Sequence, residues 1–190
     1  AATWSGRKSG DDDLNPRPGF IGGIINDVIF YRNRLGFLSD ETCYLSQAGD
    51  VFNLWADKAT EVLDSDPIER GATTDQVNIL QFAKVFRKVM FLTSANAQFE
   101  LESGEGRALT PGTAEMNQAT TYRGSRIARP AALGDVLYFA SEVEDQAVVY
   151  EYYFQDTSFS NTATDVSRHV RTYIPSSIEK MTGDPAAQTM

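Results

Sequence analysis

A pattern of two short apolar runs separated by a polar corner occurs three times along this chain and limits the folds it can adopt. In the first copy, the apolar runs at 26–31 and 35–39 flank the polar triplet Arg-Asn-Arg at 32–34. Short runs rich in β-branched and aromatic residues, bounded by polar corners, are typical of strands joined by tight turns. Helical periodicity is nowhere long, so the pattern predicts an all-β chain.

The spacing of the three copies indicates the kind of β fold. Aligning them places Leu38, Leu92 and Phe139 in register, with Leu92 54 residues after Leu38 and Phe139 47 residues after Leu92. Degenerate repeats of about 40–50 residues built from short strands are typical of propeller blades. We therefore expect a β-propeller-like fold, present as a partial set of antiparallel blades with short helical turns.

The rest of the chain divides into further strands and less regular segments. Further strands are expected at 42–46, 51–55, 77–82, 89–93, 98–102, 113–122, 134–140 and 148–154. Short helical turns are expected within 56–63, ending before Pro67, and at 165–172. These expectations give one domain, at 1–190, and because no initiator Met is present we expect it to be a fragment of a longer chain. It has a polar entry segment at 1–19, blade-like units at 20–55, 76–122 and 130–156, and an irregular tail with a short helix at 157–190.

Charge and rare residues exclude several classes of function. The 17 Lys and Arg residues against 26 Asp and Glu give a net charge of −9, which makes the chain a poor general binder of nucleic acid. The single cysteine, Cys43, excludes an internal disulfide and a cysteine zinc site, and is interpreted as a small buried hydrophobe. The single histidine, His169, leaves little room for a histidine-rich metal centre. No apolar run approaches the roughly 20 residues of a membrane span, and no initiator Met or signal peptide is visible.

The sequence offers only weak evidence for a catalytic cluster. Carboxylates gather at Glu61, Asp64 and Asp66, and again in the 142–146 loop at Glu142, Glu144 and Asp145. A glycosidase needs two carboxyls held about 5–10 Å apart across a sugar ring, which loop neighbours do not establish. The serines near strand ends lack a nucleophile elbow, and Asp165 with His169 is best interpreted as a local pair. We predict no catalytic, metal-binding or cofactor-binding residues and no cofactor.

The densest basic cluster lies at Arg123, Arg126 and Arg129. It is interpreted either as a contact patch for phosphate or for another subunit, or as a set of partners for the chain's abundant carboxylates.

A long signature in the first third of the chain resembles a known family. Its residues are Asn15, Pro16, Pro18, Phe20, Asn26, Asp27, Arg32, Asn33, Arg34, Leu35, Gly36 and Phe37, followed downstream by Asp66, Pro67 and Ile68. This order of residues is similar to that of the tail nozzle proteins (tail tubular protein B) of short-tailed phages. Those proteins are several times longer, so the chain resembles an internal fragment of one.

The resemblance implies a non-enzymatic structural component of the phage tail, made in the host cytoplasm and located in the virion. It implies a homo-oligomeric sixfold ring that docks the tail adaptor and tail fibres, while double-stranded DNA passes through without specific binding. Two alternatives stay open: a virion-associated polysaccharide or cell-wall hydrolase using carboxylates such as Glu61 and Asp66, and an adhesin for host glycans. For Arg34 we expect a structural role, tying neighbouring loops or carboxylates together.

Overall fold

A computed structural model describes residues 3–104, 106–143, 146–155, 160–174 and 177–184. Within these ranges the chain forms twelve strands in three four-stranded sheets, and each sheet is built from four strands consecutive in sequence. The chain divides into two compact units. One comprises Ala1–Leu80 and Leu101–Asn117, and the other comprises Gln81–Glu100 and Gln118–Met190.

The first sheet lies wholly in the first unit and has the strand order β1-β2-β3-β4. Its strands are β1 (Asp27–Tyr31), β2 (Arg34–Ser39), β3 (Thr42–Leu45) and β4 (Ile68–Gly71), each antiparallel to its neighbour. The β1–β2 hairpin closes through the two residues Arg32 and Asn33, whose φ angles of 47° and 61° are those of a type I′ turn. This turn matches the right-handed twist of the flanking strands.

The second sheet has the order β5-β6-β7-β8. Its strands are β5 (Leu80–Phe86), β6 (Val89–Ser94), β7 (Gln98–Ser103) and β8 (Ala114–Thr120). Arg87 is the first of the two residues that connect β5 and β6, as Arg32 is the first of the two that connect β1 and β2. Its φ angle is also positive, at 53°.

The third sheet lies in the second unit and has the order β12-β11-β10-β9. Its strands are β9 (Ala131–Leu133), β10 (Val136–Val143), β11 (Gln146–Gln155) and β12 (Ser160–Asp165), followed by a short 3₁₀ helix at Arg171–Tyr173. The core of this unit is an aromatic-rich cluster containing Phe86, Phe91, Leu137, Phe139 and Tyr152. The ring centroids of Phe91 and Tyr152 lie 4.6 Å apart.

The all-β class is confirmed, and the register of the repeat has a structural basis. Leu38, Leu92 and Phe139 each lie in the second strand of their own sheet, β2, β6 and β10, and all three are buried. A side chain at this place faces inward in each sheet, which is why an apolar residue recurs there.

Several details of the sequence expectation were wrong. Residues 51–55 form a turn and irregular backbone instead of a strand, and the fourth strand of the first sheet is Ile68–Gly71. Residues 56–63 contain no helical turn, because the Asp66 carboxylate captures backbone N–H groups of this segment. Strands β9 and β12 were missed, and β5 begins at Leu80 rather than at residue 77.

The expected helix at 165–172 is reduced to the three-residue 3₁₀ helix, since Asp165 still belongs to β12. Of the acidic loop expected at 142–146, Glu142 lies in β10 and Gln146 in β11. Glu144 and Asp145 lie outside the described residues.

Candidate functional site

Arg34 is the centre of a polar network that connects three separate loops of the first unit. It is the first residue of β2, directly after the type I′ turn, and only 1% of its surface is exposed. Its guanidinium donates to five backbone carbonyl oxygens: those of Ser46 and Asp66 at 2.7 Å each, Asp64 at 3.0 Å, and Ser65 and Leu109 at 3.3 Å each. We call this arrangement the Arg34 cage.

The cage suits a buried arginine, because the two terminal nitrogens of its planar fork carry four N–H groups that the five carbonyls share. Burial lowers the pKa of Arg34, and the nearby Asp66 carboxylate opposes that shift. Because the pKa of an arginine starts far above neutrality, the side chain stays cationic at neutral pH. A buried cation that donates to several carbonyls fixes where those carbonyls lie, so Arg34 holds three loops in place.

Asp66 shapes the loop that Arg34 holds. This carboxylate is buried, and it accepts a hydrogen bond from the backbone N–H of Leu63 at 2.8 Å and another from that of Asp57 at 3.2 Å. The loop from Asp57 to Asp66 is therefore wrapped around an acidic side chain. Its carbonyls are free to accept from Arg34, which explains why the segment is not helical.

A second buried pair supports the preceding segment. Asn53 donates to the side-chain oxygen of Gln47 at 2.5 Å, and the Gln47 backbone N–H donates to the Asn53 carbonyl at 2.8 Å. The Gln47 amide in turn donates to the Asp57 carboxylate. These bonds hold an irregular stretch that belongs to none of the three sheets and contains an isolated bridge between Gln47 and Asp50.

The other signature residues also stabilise the first unit. Asn15 is buried and donates to the carbonyls of Ser9 and Ala56 at 2.9 and 3.0 Å. Asn26 donates to the Leu80 carbonyl at 2.8 Å, and Arg32 donates to the Ser103 hydroxyl at 2.8 Å. Arg34 thus holds backbone carbonyls of neighbouring loops rather than carboxylates.

The remaining signature residues differ in their surroundings: some form local hydrogen bonds, one glycine is in close contact with a neighbour, and others are exposed. Asp27 is buried and accepts from the Val28 N–H at 2.8 Å, and Leu35 donates its N–H to the Ser46 hydroxyl at 2.9 Å. A Cβ at Gly36 would lie 2.8 Å from a Leu45 methyl carbon, so the buried Leu45 side chain would have to shift to admit it. Asn33 is exposed, and its carbonyl accepts from Gly49. Pro16 is exposed, and Pro67 leads into Ile68, the buried first residue of β4.

An apolar groove lies beside the first sheet. It has a volume of about 350 Å³. Its lining is Trp4, Ser5, Pro18, Phe20, Ile21, Ile25, Phe37, Phe52, Leu54 and Trp55. Phe37, one of the lining residues, is buried and stacks on Phe20 with ring centroids 5.1 Å apart.

The apolar surface continues from the groove along β1. Val28 and Phe30, on one face of this strand, are 49% and 58% exposed. Apolar side chains on one exposed face of an edge strand are typical of a surface that packs against another protein segment. Sequence reasoning missed this surface, because the apolar run at 26–31 reads as core when burial is unknown.

The basic cluster lies on the connection between β8 and β9. Arg123, Arg126 and Arg129 are all exposed. Arg129 places its guanidinium 5.7 Å from the centre of the Phe82 ring. In the described part of the chain, Arg123 and Arg126 have neither a hydrogen bond nor an ion pair.

The carboxylates weighed for catalysis do not form a shared site. Glu61 is exposed and pairs with Lys58 at 2.7 Å, whereas both oxygens of the buried Asp66 accept backbone N–H groups. Asp165 accepts from the N–H and hydroxyl of Ser167 at 2.9 and 2.7 Å and pairs with Arg171, not with His169. Among the described residues, no group of three His, Cys, Asp or Glu side chains is placed to hold a metal ion.

Cys43 and Asp165, like Arg34, have shifted pKa values with clear causes. Cys43 is fully buried, and burial raises the pKa of its thiol to about 12, which confirms its interpretation as a buried hydrophobe. Burial also acts to raise the pKa of Asp165, but the hydrogen bonds from Arg171 and Ser167 outweigh that effect and hold the pKa below its usual value.

Fold and site together define an all-β protein built from repeated four-stranded sheets. Buried polar residues hold its loops, and one strand face exposes apolar side chains. No helix in the described ranges is long and apolar enough to cross a membrane.

Comparison with known proteins gives the family. The model of the bacteriophage nozzle protein family matches residues 1–190. The tail tubular protein gp12 of Escherichia phage T7 is 38% identical over 181 residues, which is 95% of this chain and 22% of that relative. The chain therefore belongs to the bacteriophage nozzle protein family, and it spans about a fifth of the length of that relative.

Proposed function

We propose that this chain forms part of the nozzle ring of a short phage tail, the ring through which DNA leaves the particle. The observation that carries the proposal is the family match over the full 190 residues. The proposed ring contains six copies, docks the tail adaptor and the tail fibres, and has no enzymatic role.

The fold supports a propeller-like architecture for this part of the ring. Each of the three sheets is a four-stranded antiparallel meander of consecutive strands, which is how a propeller blade is built. We propose that the three sheets are blades of a longer propeller-like domain. The apolar face carrying Val28 and Phe30 is the kind of surface that a blade presents to its neighbour.

The charge of the chain supports a passive conduit. A net charge of −9 repels the phosphate backbone, so DNA slides past such a surface instead of binding to it. We therefore expect the protein to bind a short DNA duplex negligibly at physiological salt, measured by fluorescence anisotropy. Tight binding that weakens steeply with added salt would contradict the passive role.

Immunogold labelling tests the location directly. Antibody raised against this chain is applied to intact virions of the phage that encodes it, with pre-immune serum as the control. We expect gold particles clustered at the tail axis. Labelling on lateral fibres, or none on virions that contain the protein by immunoblot, would contradict the nozzle proposal.

A further inference from the structure

We propose that the loop carrying Arg123 and Arg126 is a protein docking element, and that its partner is a carboxylate-bearing surface on a second copy of this protein. The inference rests on the proposed ring of identical copies and adds to it the chemistry of one subunit contact. The described residues of this loop, 121–130, are called the arginine loop.

The backbone of the arginine loop is held firmly. Gln98 donates to the Tyr122 carbonyl at 2.8 Å, the Gly124 N–H donates to the Ala95 carbonyl at 3.2 Å, and the Ser125 N–H donates to the Ala140 carbonyl at 2.8 Å. Gly124 packs so closely that a Cβ would lie 2.4 Å from the Ser94 carbonyl oxygen. Hydrogen bonds to the segment 95–98 and to Ala140 therefore fix the position of this loop.

The same anchoring sets which side chains point outward. Ser125 and Ala128 are buried, and the Ser125 hydroxyl accepts from the N–H groups of Ile127 and Ala128 at 3.1 Å each. Arg126 and Ile127, which lie between these anchors, and Arg123, which precedes them, are exposed, Ile127 by 54%. The loop thus presents two cations and an apolar side chain on a backbone that is already ordered.

A fixed backbone matters for binding because ordering a flexible loop costs free energy on association. Arginine is enriched at protein interfaces, where its fork binds a carboxylate through two hydrogen bonds and its planar group tolerates partial burial. Ile127 adds apolar contact beside these charges. Two arginines and an isoleucine on an ordered backbone are therefore suited to binding the surface of another protein.

Carboxylates fit this loop better than the phosphates of duplex DNA. Proteins that hold DNA at physiological salt neutralise about 6–10 phosphates, whereas the arginine loop offers two guanidinium groups that have no ion pair among the described residues. A second copy, by contrast, carries an excess of acidic residues, 26 against 17 basic ones. Charge complementarity therefore favours a contact between the loop and the acidic surface of a neighbouring copy.

The test compares assembly of the full-length protein with that of charge variants. The double variant Arg123→Glu with Arg126→Glu reverses the charge at both arginine positions of the loop. As a control, Arg107→Glu with Arg168→Glu makes the same charge change at two exposed arginines elsewhere. Sedimentation velocity over a concentration series at physiological salt gives the association constant. Circular dichroism melting shows that each variant is folded.

We expect the loop variant to associate at least about tenfold more weakly than the wild type, and the control variant to stay within about threefold. The variant Arg123→Lys with Arg126→Lys keeps the charge but not the fork, so it should assemble better than the glutamate variant. Association of the loop variant equal to that of the control would overturn the inference while leaving the nozzle proposal intact.

Two further outcomes separate the alternatives. Wild-type protein that stays monomeric at every concentration would contradict the ring and with it this contact. If the glutamate variant assembles normally but loses affinity for a short DNA duplex, the loop binds phosphate and the inference is wrong.

Discussion

Replacing Arg34 by Ala should destabilise the first unit more than replacing any of its exposed arginines. The change removes the three shortest hydrogen bonds of the cage, at 2.7, 2.7 and 3.0 Å. Each hydrogen bond to a charged group contributes about 1.5–3 kcal/mol, and buried carbonyls left without a donor cost about 1–3 kcal/mol each. The desolvation penalty of a buried cation, which the variant no longer incurs, offsets part of this sum.

The net effect expected for Arg34→Ala is a loss of about 3–5 kcal/mol of unfolding free energy, similar to the removal of one partner from a buried ion pair. For a chain of this size, each kcal/mol lowers the melting temperature by about 2–4 °C, so we expect a fall of about 6–20 °C. Urea unfolding and thermal melting, both followed by circular dichroism, measure these quantities.

Two variants make the Arg34 test specific. Arg17→Ala removes an exposed arginine that has no hydrogen bond or ion pair in the described part of the chain, so it should change stability by less than about 0.5 kcal/mol. Arg34→Lys keeps the charge but has three N–H donors in place of five. Its free energy of unfolding should therefore lie between those of the wild type and Arg34→Ala. A loss below about 1 kcal/mol for Arg34→Ala would refute the role of the cage.

Three individual contacts give further predictions. Because the pKa of Asp165 is lowered in the folded state, its contribution is present above its ordinary pKa and is lost as pH falls through the folded value. Asp165→Asn should therefore reduce stability at neutral pH but much less in strong acid, and an equal loss under both conditions would contradict this. Gly124→Ala, which puts a Cβ against the Ser94 carbonyl, should cost about 1–3 kcal/mol in urea unfolding, and unchanged stability would refute that close contact. With its pKa raised to about 12 by burial, Cys43 should react with a thiol reagent only after unfolding, and rapid labelling of the native protein would show that the strand is accessible.

The repeat was readable from sequence because it depends on local patterning. The apolar residues around Leu38, Leu92 and Phe139 alternate with polar corners, and each alternation corresponds to a hairpin within one sheet. The missed strands lacked that signal. Ile68–Gly71 contains Glu69 and Arg70, Ala131–Leu133 has three residues, and Ser160–Asp165 has no apolar run. Their pairing depends on neighbouring strands rather than on their own composition.

The Arg34 cage shows what sequence could and could not predict about the site. Both Arg34 and Asp66 stood out in the family signature, but their separation of 32 residues hides the fact that they meet. The segment from residue 56 onward had helix-forming residues, and its real structure is set by the Asp66 carboxylate and the Gln47 amide. Long-range hydrogen bonds of this kind override local propensity.

A cryo-electron microscopy reconstruction of the intact tail, with sixfold symmetry tested rather than imposed, is the measurement that tests the nozzle account most directly. The account predicts six copies of the three four-stranded sheets around the tail axis, at the level where DNA leaves the particle. Placement of these sheets in a lateral fibre, or away from the axis, would contradict it.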